Sequence, residues 1–208
     1  MNRLVRDSAQ PNAIQKGTVR REHRELLNGQ RGHVLWLTGL SGAGKSTLAY
    51  ALEQRLHHQQ RRCVVLDGDH LRGGLCAYLG FTPEARNENL RRAAEVAKLV
   101  VNSGLICIAG FISPTLLDRA MVRDIIGPSD FSEIYIDCAL KVCEARDVKG
   151  LYRRARAGEI ADFTGITSPY EPPPTPNLAL KTANQSIEQC VQQLMDYLDA
   201  ERGAVETS

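Results

Sequence analysis

Four short apolar runs, HVLWLT (33–38), CVVLD (63–67), ICIAGF (106–111) and EIYID (133–137), recur along the chain with longer stretches of helical spacing between them. Leu48, Leu52 and Leu56 follow the first run, and Leu90, Ala94, Ala97 and Val101 precede the third, each set stepping along one helix face. Thr82 and Pro83 open the latter helix and Gly104 closes it, the usual asymmetry of proline at the start and glycine past the end. Buried strands alternating with helices imply an α/β fold, a parallel sheet covered by helices on both faces. A fifth strand is expected at LALKT (178–182). A terminal helix follows from about Ser186 to Ala200, with Ile187, Val191, Leu194 and Leu198 on one face.

With 208 residues, 43% hydrophobic and 24% charged, the chain suits one compact domain over 18–208. Residues 1–17 are polar and aperiodic and are expected to form a flexible arm, while 18–32 suggest a basic helix. A net charge of +2 excludes a broad nucleic-acid footprint. The longest nearly apolar run, GLICIAGFI (104–112), falls well short of the roughly 20 residues of a membrane helix. The N-terminus lacks the apolar core of a secretory signal, so a cytoplasmic protein is expected. Six cysteines include no CxxC pair, and Cys63, Cys107 and Cys138 fall in apolar segments, so they read as core thiols.

GLSGAGKS (39–46) fits GxxxxGK[ST] and stands between a predicted strand and a predicted helix, the context that gives this motif its meaning. Gly39, Gly42 and Gly44 let main-chain amides turn inward around phosphate oxygens, and the helix N-terminus adds partial positive charge. Lys45 is expected to reach the β- and γ-phosphates and Ser46 to hold Mg²⁺. Residues 39–47, with Leu40, Ser41, Ala43 and Thr47 between the named groups, thus form a candidate ATP site. The chain lacks an NKxD stretch, which weighs against a guanine-specific switch, and a small-molecule kinase is the simplest remaining class.

In LDGDHLR (66–72), Asp67 and Asp69 stand two positions apart; in an extended chain both face one side. The second strand is expected to end beside the first, which places the pair at the carboxyl edge of the sheet facing the γ-phosphate. One carboxylate can order Mg²⁺ while the other orients or deprotonates an acceptor hydroxyl. Residues 146–177 hold five prolines and a cluster of Arg146, Lys149, Arg153, Arg154 and Arg156; a connection this long and basic reads as a lid over an anionic ligand.

Taken together, GLSGAGKST, LDGDHLR, LGF with ENLRR, GFISP, RDVKGLYRRARAGEI and FTGITSPYE resemble, in order and spacing, the adenylylsulfate (APS) kinase family over residues from about 18 to 200. The resemblance implies a P-loop core with a five-stranded parallel sheet, transfer of the γ-phosphoryl of MgATP to the 3′-hydroxyl of APS, a homodimer, and functional coupling to ATP sulfurylase. It implies that Asp67 and Asp69 lie near the acceptor hydroxyl and metal. Arg72, Arg86 and Asn89 match residues that hold the phosphosulfate and sugar, and Phe81 and Phe163 match rings that sandwich the APS adenine. Arg146 and Lys149 match lid residues beside the nucleotides. Ser113 matches a serine with a proposed phosphoenzyme role, although direct in-line transfer makes no demand for it. The chain departs from the family at Thr115 and Leu116, where Tyr-Arg is usual. Competing readings are a kinase for another small acceptor and a degenerate, nucleotide-dependent regulatory module.

Overall fold

Residues 17–206 are described by the structure, a computed structural model. In chain order the elements are α1 (Arg21–Asn28), β1 (His33–Thr38), α2 (Lys45–His58), β2 (Cys63–Asp67), α3 (Gly68–Gly73), α4 (Pro83–Asn102), β3 (Ile106–Gly110) and α5 (Leu116–Ile126). After a 3-10 turn at Pro128–Asp130 follow β4 (Phe131–Asp137), α6 (Leu140–Arg146), α7 (Leu151–Arg156), β5 (Leu178–Lys181) and α8 (Ile187–Glu206).

The five strands run parallel in the order β2-β3-β1-β4-β5. Every residue of β1 and β3 is buried, as their unbroken apolar runs demand. Alternate side chains of β1 serve opposite layers. Leu35 and Leu37 join Ile106, Ile108, Ile134 and Ile136 against Leu48, Leu52 and Leu56 of α2 and Leu194 and Leu198 of α8. Val34 and Trp36 join Cys107, Ala109 and Phe111 against Leu90, Ala94, Ala97 and Val101 of α4 and Val122 and Ile126 of α5. Each such leucine or isoleucine contributes roughly 1.5–3 kcal/mol by leaving water, so the periodic residues of α2 and α4 are what fasten the helices to the sheet. Thr82 caps α4, its hydroxyl accepting from Ala85 N at 3.2 Å, and Pro83 takes the first helical position.

Several sequence expectations are corrected. β2 does not lie beside β1: β3, buried on both faces, takes the inner place, and the half-buried Cys63, Val64 and Val65 of β2 suit an outer strand. The chain is not extended through 66–72, because it turns at Asp67 into α3 and leaves Asp69 in a helical first turn. β4 begins at Phe131 rather than Glu133, and α8 continues past Ala200. The helix expected in 18–32 is α1; it buries no residue and is held by Arg21 Nη2 to Asp130 Oδ1 at 2.8 Å and by Asn28 Nδ2 to Ser103 O at 3.0 Å. The arm expected at 1–17 lies, apart from Gly17, outside the described residues.

All six cysteines are free thiols, five buried and Cys63 half-buried. Burial pushes the Cys143 thiol up to about 12 and Cys63 up to about 11, which suppresses the reactive thiolate. No helix among the described residues is long and apolar enough to cross a membrane.

Candidate active site

The loop between β1 and α2 is held from outside by its own carbonyls. Ser41 O accepts from Tyr152 Oη at 2.8 Å, Gly42 O from Arg146 Nη1 at 3.2 Å and Ala43 O from Thr182 Oγ1 at 2.7 Å. In planar trans peptides the N–H groups of Gly42 and Gly44 therefore point the opposite way, into the turn. Gly39 is obligatory: at φ +153° a Cβ would stand 2.7 Å from Ile136 O. Lys45 opens α2 and folds back over the loop, donating to Gly39 O at 2.9 Å and Leu40 O at 2.8 Å. Burial pulls its ammonium down to about 8, so an anion entering the turn finds a cation that gains a strong partner by being charged. Thr47 sits exposed one residue beyond Ser46, and Arg146 also donates to Thr182 O at 2.7 Å.

Two strands away, Asp67 ends β2 only 6% exposed. Its Oδ1 accepts from Asp69 N at 2.9 Å, capping α3, and its Oδ2 accepts from Ser46 Oγ at 2.6 Å. No basic side chain among the described residues forms an ion pair with Asp67. A buried carboxylate without a cation, bonded to a hydroxyl at the phosphate turn, is a donor set that a hard divalent ion fits. Among the described residues no group of three or more His, Cys, Asp or Glu gathers, so such an ion needs ligand oxygens as well. Asp69 is exposed and meets Lys149 Nζ from the segment between α6 and α7. Cradle, both acids and lid lysine therefore converge, although β2 and β1 are not neighbours.

The expected acceptor residues cluster beside them. The Arg72 guanidinium lies 4.4 Å from the centre of the Phe81 ring, and its Nη1 donates to Gly80 O at 3.0 Å. Arg86 spans two segments: Nε donates to Phe81 O at 2.8 Å, Nη2 to Asp162 O at 2.6 Å and Nη1 to Thr164 Oγ1 at 3.3 Å. That clasp brings the Phe81 and Phe163 segments together while committing the donors of Arg86 to the protein itself. Phe81 is exposed; Phe163 is mostly buried, edge-on to Tyr152 at 5.0 Å. Asn89 is buried on α4 with its Oδ1 unpartnered.

Ser113 follows β3 at φ +38°, a sparsely populated conformation, and is 1% exposed. Its hydroxyl donates to Thr38 Oγ1 at 3.0 Å and accepts from Trp36 Nε1 at 3.1 Å. Phosphorylation at Oγ would remove the hydrogen donated to Thr38 and would have to reach a side chain that is 1% exposed, so this geometry favours a structural role.

Residues 31–181 match the model of the adenylylsulphate kinase family. This chain belongs to that family. A curated adenylyl-sulfate kinase of Acaryochloris marina is 53% identical over 191 residues, 92% of this chain and 93% of that protein. One from Clostridium kluyveri is 53% identical over 183 residues, 88% and 92% of the two. Among solved structures, the Mycobacterium tuberculosis APS kinase CysC in complex with AMPPNP and APS is 45% identical, with a TM-score of 0.79 over 82% of this chain and 99% of that one.

The adenylylsulphate kinase site also contains residues that motif reading overlooked. Tyr152 and Thr182 hold the cradle's carbonyls, and Thr38 Oγ1 joins the cradle strand to Ile112 O at 2.8 Å. Hydroxyls bonding main-chain atoms leave no spacing pattern. Arg119 did leave one: with Val122 and Ile126 it occupies the buried face of α5, a cation on an apolar stripe.

Proposed function

We propose that this kinase transfers the γ-phosphoryl of ATP to the 3′-hydroxyl of adenosine 5′-phosphosulfate, giving 3′-phosphoadenylylsulfate, a reading supported by its likeness to relatives named adenylyl-sulfate kinase. The observation that carries the reading is the Ser46–Asp67 hydrogen bond, which joins the phosphate cradle to the acid pair beneath the lid lysine. The turn 39–46 and Lys45 grip the donor phosphates, with Arg146 behind the loop. Ser46 and Asp67 are the residues to hold Mg²⁺, which supplies neutralisation of charge on the transferred phosphoryl group. Asp69 orients the acceptor hydroxyl and takes its proton once Lys149 turns toward the phosphates. Arg72 and Asn89 face the phosphosulfate and sugar, Arg86 ties the pocket's two walls, and Phe81 and Phe163 supply flat faces for an adenine. We place the activity in the cytoplasm, in a homodimer that uses the APS made by ATP sulfurylase.

The deciding assay follows ADP release from MgATP on addition of APS and identifies the 3′-phosphorylated product. ADP release with gluconate, shikimate or a nucleoside monophosphate but not with APS overturns the proposal. Light scattering of the pure protein at twice the chain mass is the expected result for the assembly.

A further inference from the structure

The lid's return to the sheet, residues 163–172, is fastened by one buried cation. The Arg119 side chain is 3% exposed. Its Nη1 donates to Ser113 O at 2.7 Å and its Nη2 to Glu171 O at 2.6 Å, while Nε lies 2.5 Å from Glu133 Oε1 as an ion pair out of line for a hydrogen bond. Glu171 completes the fastening: its N–H donates to Pro114 O at 2.8 Å, and its Oε2 accepts from Leu116 N at 2.7 Å at the start of α5. Beside it, Tyr170 Oη bonds Thr38 Oγ1 at 3.0 Å, and the ring stacks on Tyr135 with centres 6.2 Å apart. Tyr170 thereby walls a cavity of about 580 Å³ that reaches Leu40 of the cradle.

These contacts join three loop ends, those after β1 and β3 and the lid's return, at the carboxyl edge of the sheet. Removing one partner of a buried ion pair is destabilising, so loss of Arg119 is expected to affect folding as well as geometry, and only a change confined to the lid's return and the acceptor reports the geometry. Leu116 takes part through its main-chain N–H alone, so the fastening is independent of the side chain that departs from the family pattern.

We propose that Arg119 is a positioning residue for the acceptor: by holding Ser113 O and Glu171 O together it sets where the lid's return, and with it Phe163, stands relative to Phe81. The proposal rests on the reading of Phe81 and Phe163 as the acceptor's walls. A guanidinium serves three divergent partners with a rigid fork, which an ammonium cannot copy.

The experiment uses Arg119→Lys, Arg119→Met and Glu171→Ala in the full chain. Both Arg119 variants are expected to raise KM for APS roughly tenfold or more, the loss of charge-assisted bonds, while KM for ATP stays within about twofold. Amide exchange is expected to rise in 163–172 and stay unchanged in 39–46, and emission of Trp36, the sole tryptophan, is expected to shift as Ser113 moves. Glu171→Ala, which removes only the Leu116 bond, should give a smaller change of the same kind. Wild-type KM for APS and wild-type exchange in Arg119→Lys overturn the proposal, as does an equal rise in both KM values with loosening throughout the chain. Should Arg119→Met fail to fold, Arg119→Lys and Glu171→Ala decide. If the unsubstituted protein shows no APS-dependent ADP release, the acceptor reading fails separately, and exchange in 163–172 still judges the fastening: local loosening supports it, no change overturns it.

Discussion

The donor side and the acceptor side of this site differ in how far they are enclosed. Around the cradle, side chains from several elements grip one short loop: three loop carbonyls are tied outward, two more accept from the buried Lys45, and Gly39 is fixed by Ile136 O. Across the cleft, several of the side chains expected to meet the acceptor stand largely in solvent. Phe81 is 64% exposed, and the Lys149–Asp69 pair is more than half exposed at both ends. An exposed pair of this kind is worth little to stability. The lesson is that the main chain of the phosphate turn stands ready before any ligand arrives, with only Lys45 to release its two carbonyls, whereas the acceptor wall must exchange several existing contacts for new ones on binding.

The largest test of that contrast is Lys45→Ala, expected to lower turnover by about 10³-fold or more, through loss of charge stabilisation on the transferred group. Because the lysine belongs to the donor side, residual ATP hydrolysis without acceptor should fall alongside; steady-state rates of both activities check this. Asp69→Asn is expected to cost roughly 10²-fold in kcat, with ATP affinity unchanged in a nucleotide titration, since the residue acts on the acceptor. An equal loss of ATP affinity would merge the two sides. Ser113→Ala is expected to keep kcat within about threefold, measured with saturating APS; a loss near that of Lys45→Ala would reinstate a phosphoserine intermediate. The smallest effect is a proton count. In the free protein Lys45 titrates near 8, well below an ordinary lysine, so at pH 8 a large share is neutral. The phosphates of ATP favour its charged form, so binding should take up roughly half a proton at pH 8 and almost none at pH 6.5. Calorimetry in buffers of different ionisation enthalpy measures it.

What the sequence disclosed follows the same division. The cradle was legible because glycine positions, lysine and helix start are fixed by one local turn, and the core because Leu48, Leu52, Leu56 and the α4 series announce their periodicity. The acid pair was recognised for a reason that fails in detail: Asp67 and Asp69 are not on one extended face, and β3 separates their strand from β1. Strand order depends on which run is buried twice, and this is a tertiary property. Arg86 is a similar case. Its residue type fits an anion clamp, yet its donors are spent on Phe81 O, Asp162 O and Thr164 Oγ1, partners up to 78 residues away that no local pattern discloses. The Arg119 hub was invisible as a hub, because two of its three partners are carbonyl oxygens.

The outermost place of β2 has an outcome for how the molecule ages under heat. A peripheral ribbon peels before a central one, since only one neighbour holds it. Here that ribbon ends in the buried acid bonded to Ser46, so partial fraying at the margin would silence chemistry in a molecule whose central scaffold is still intact.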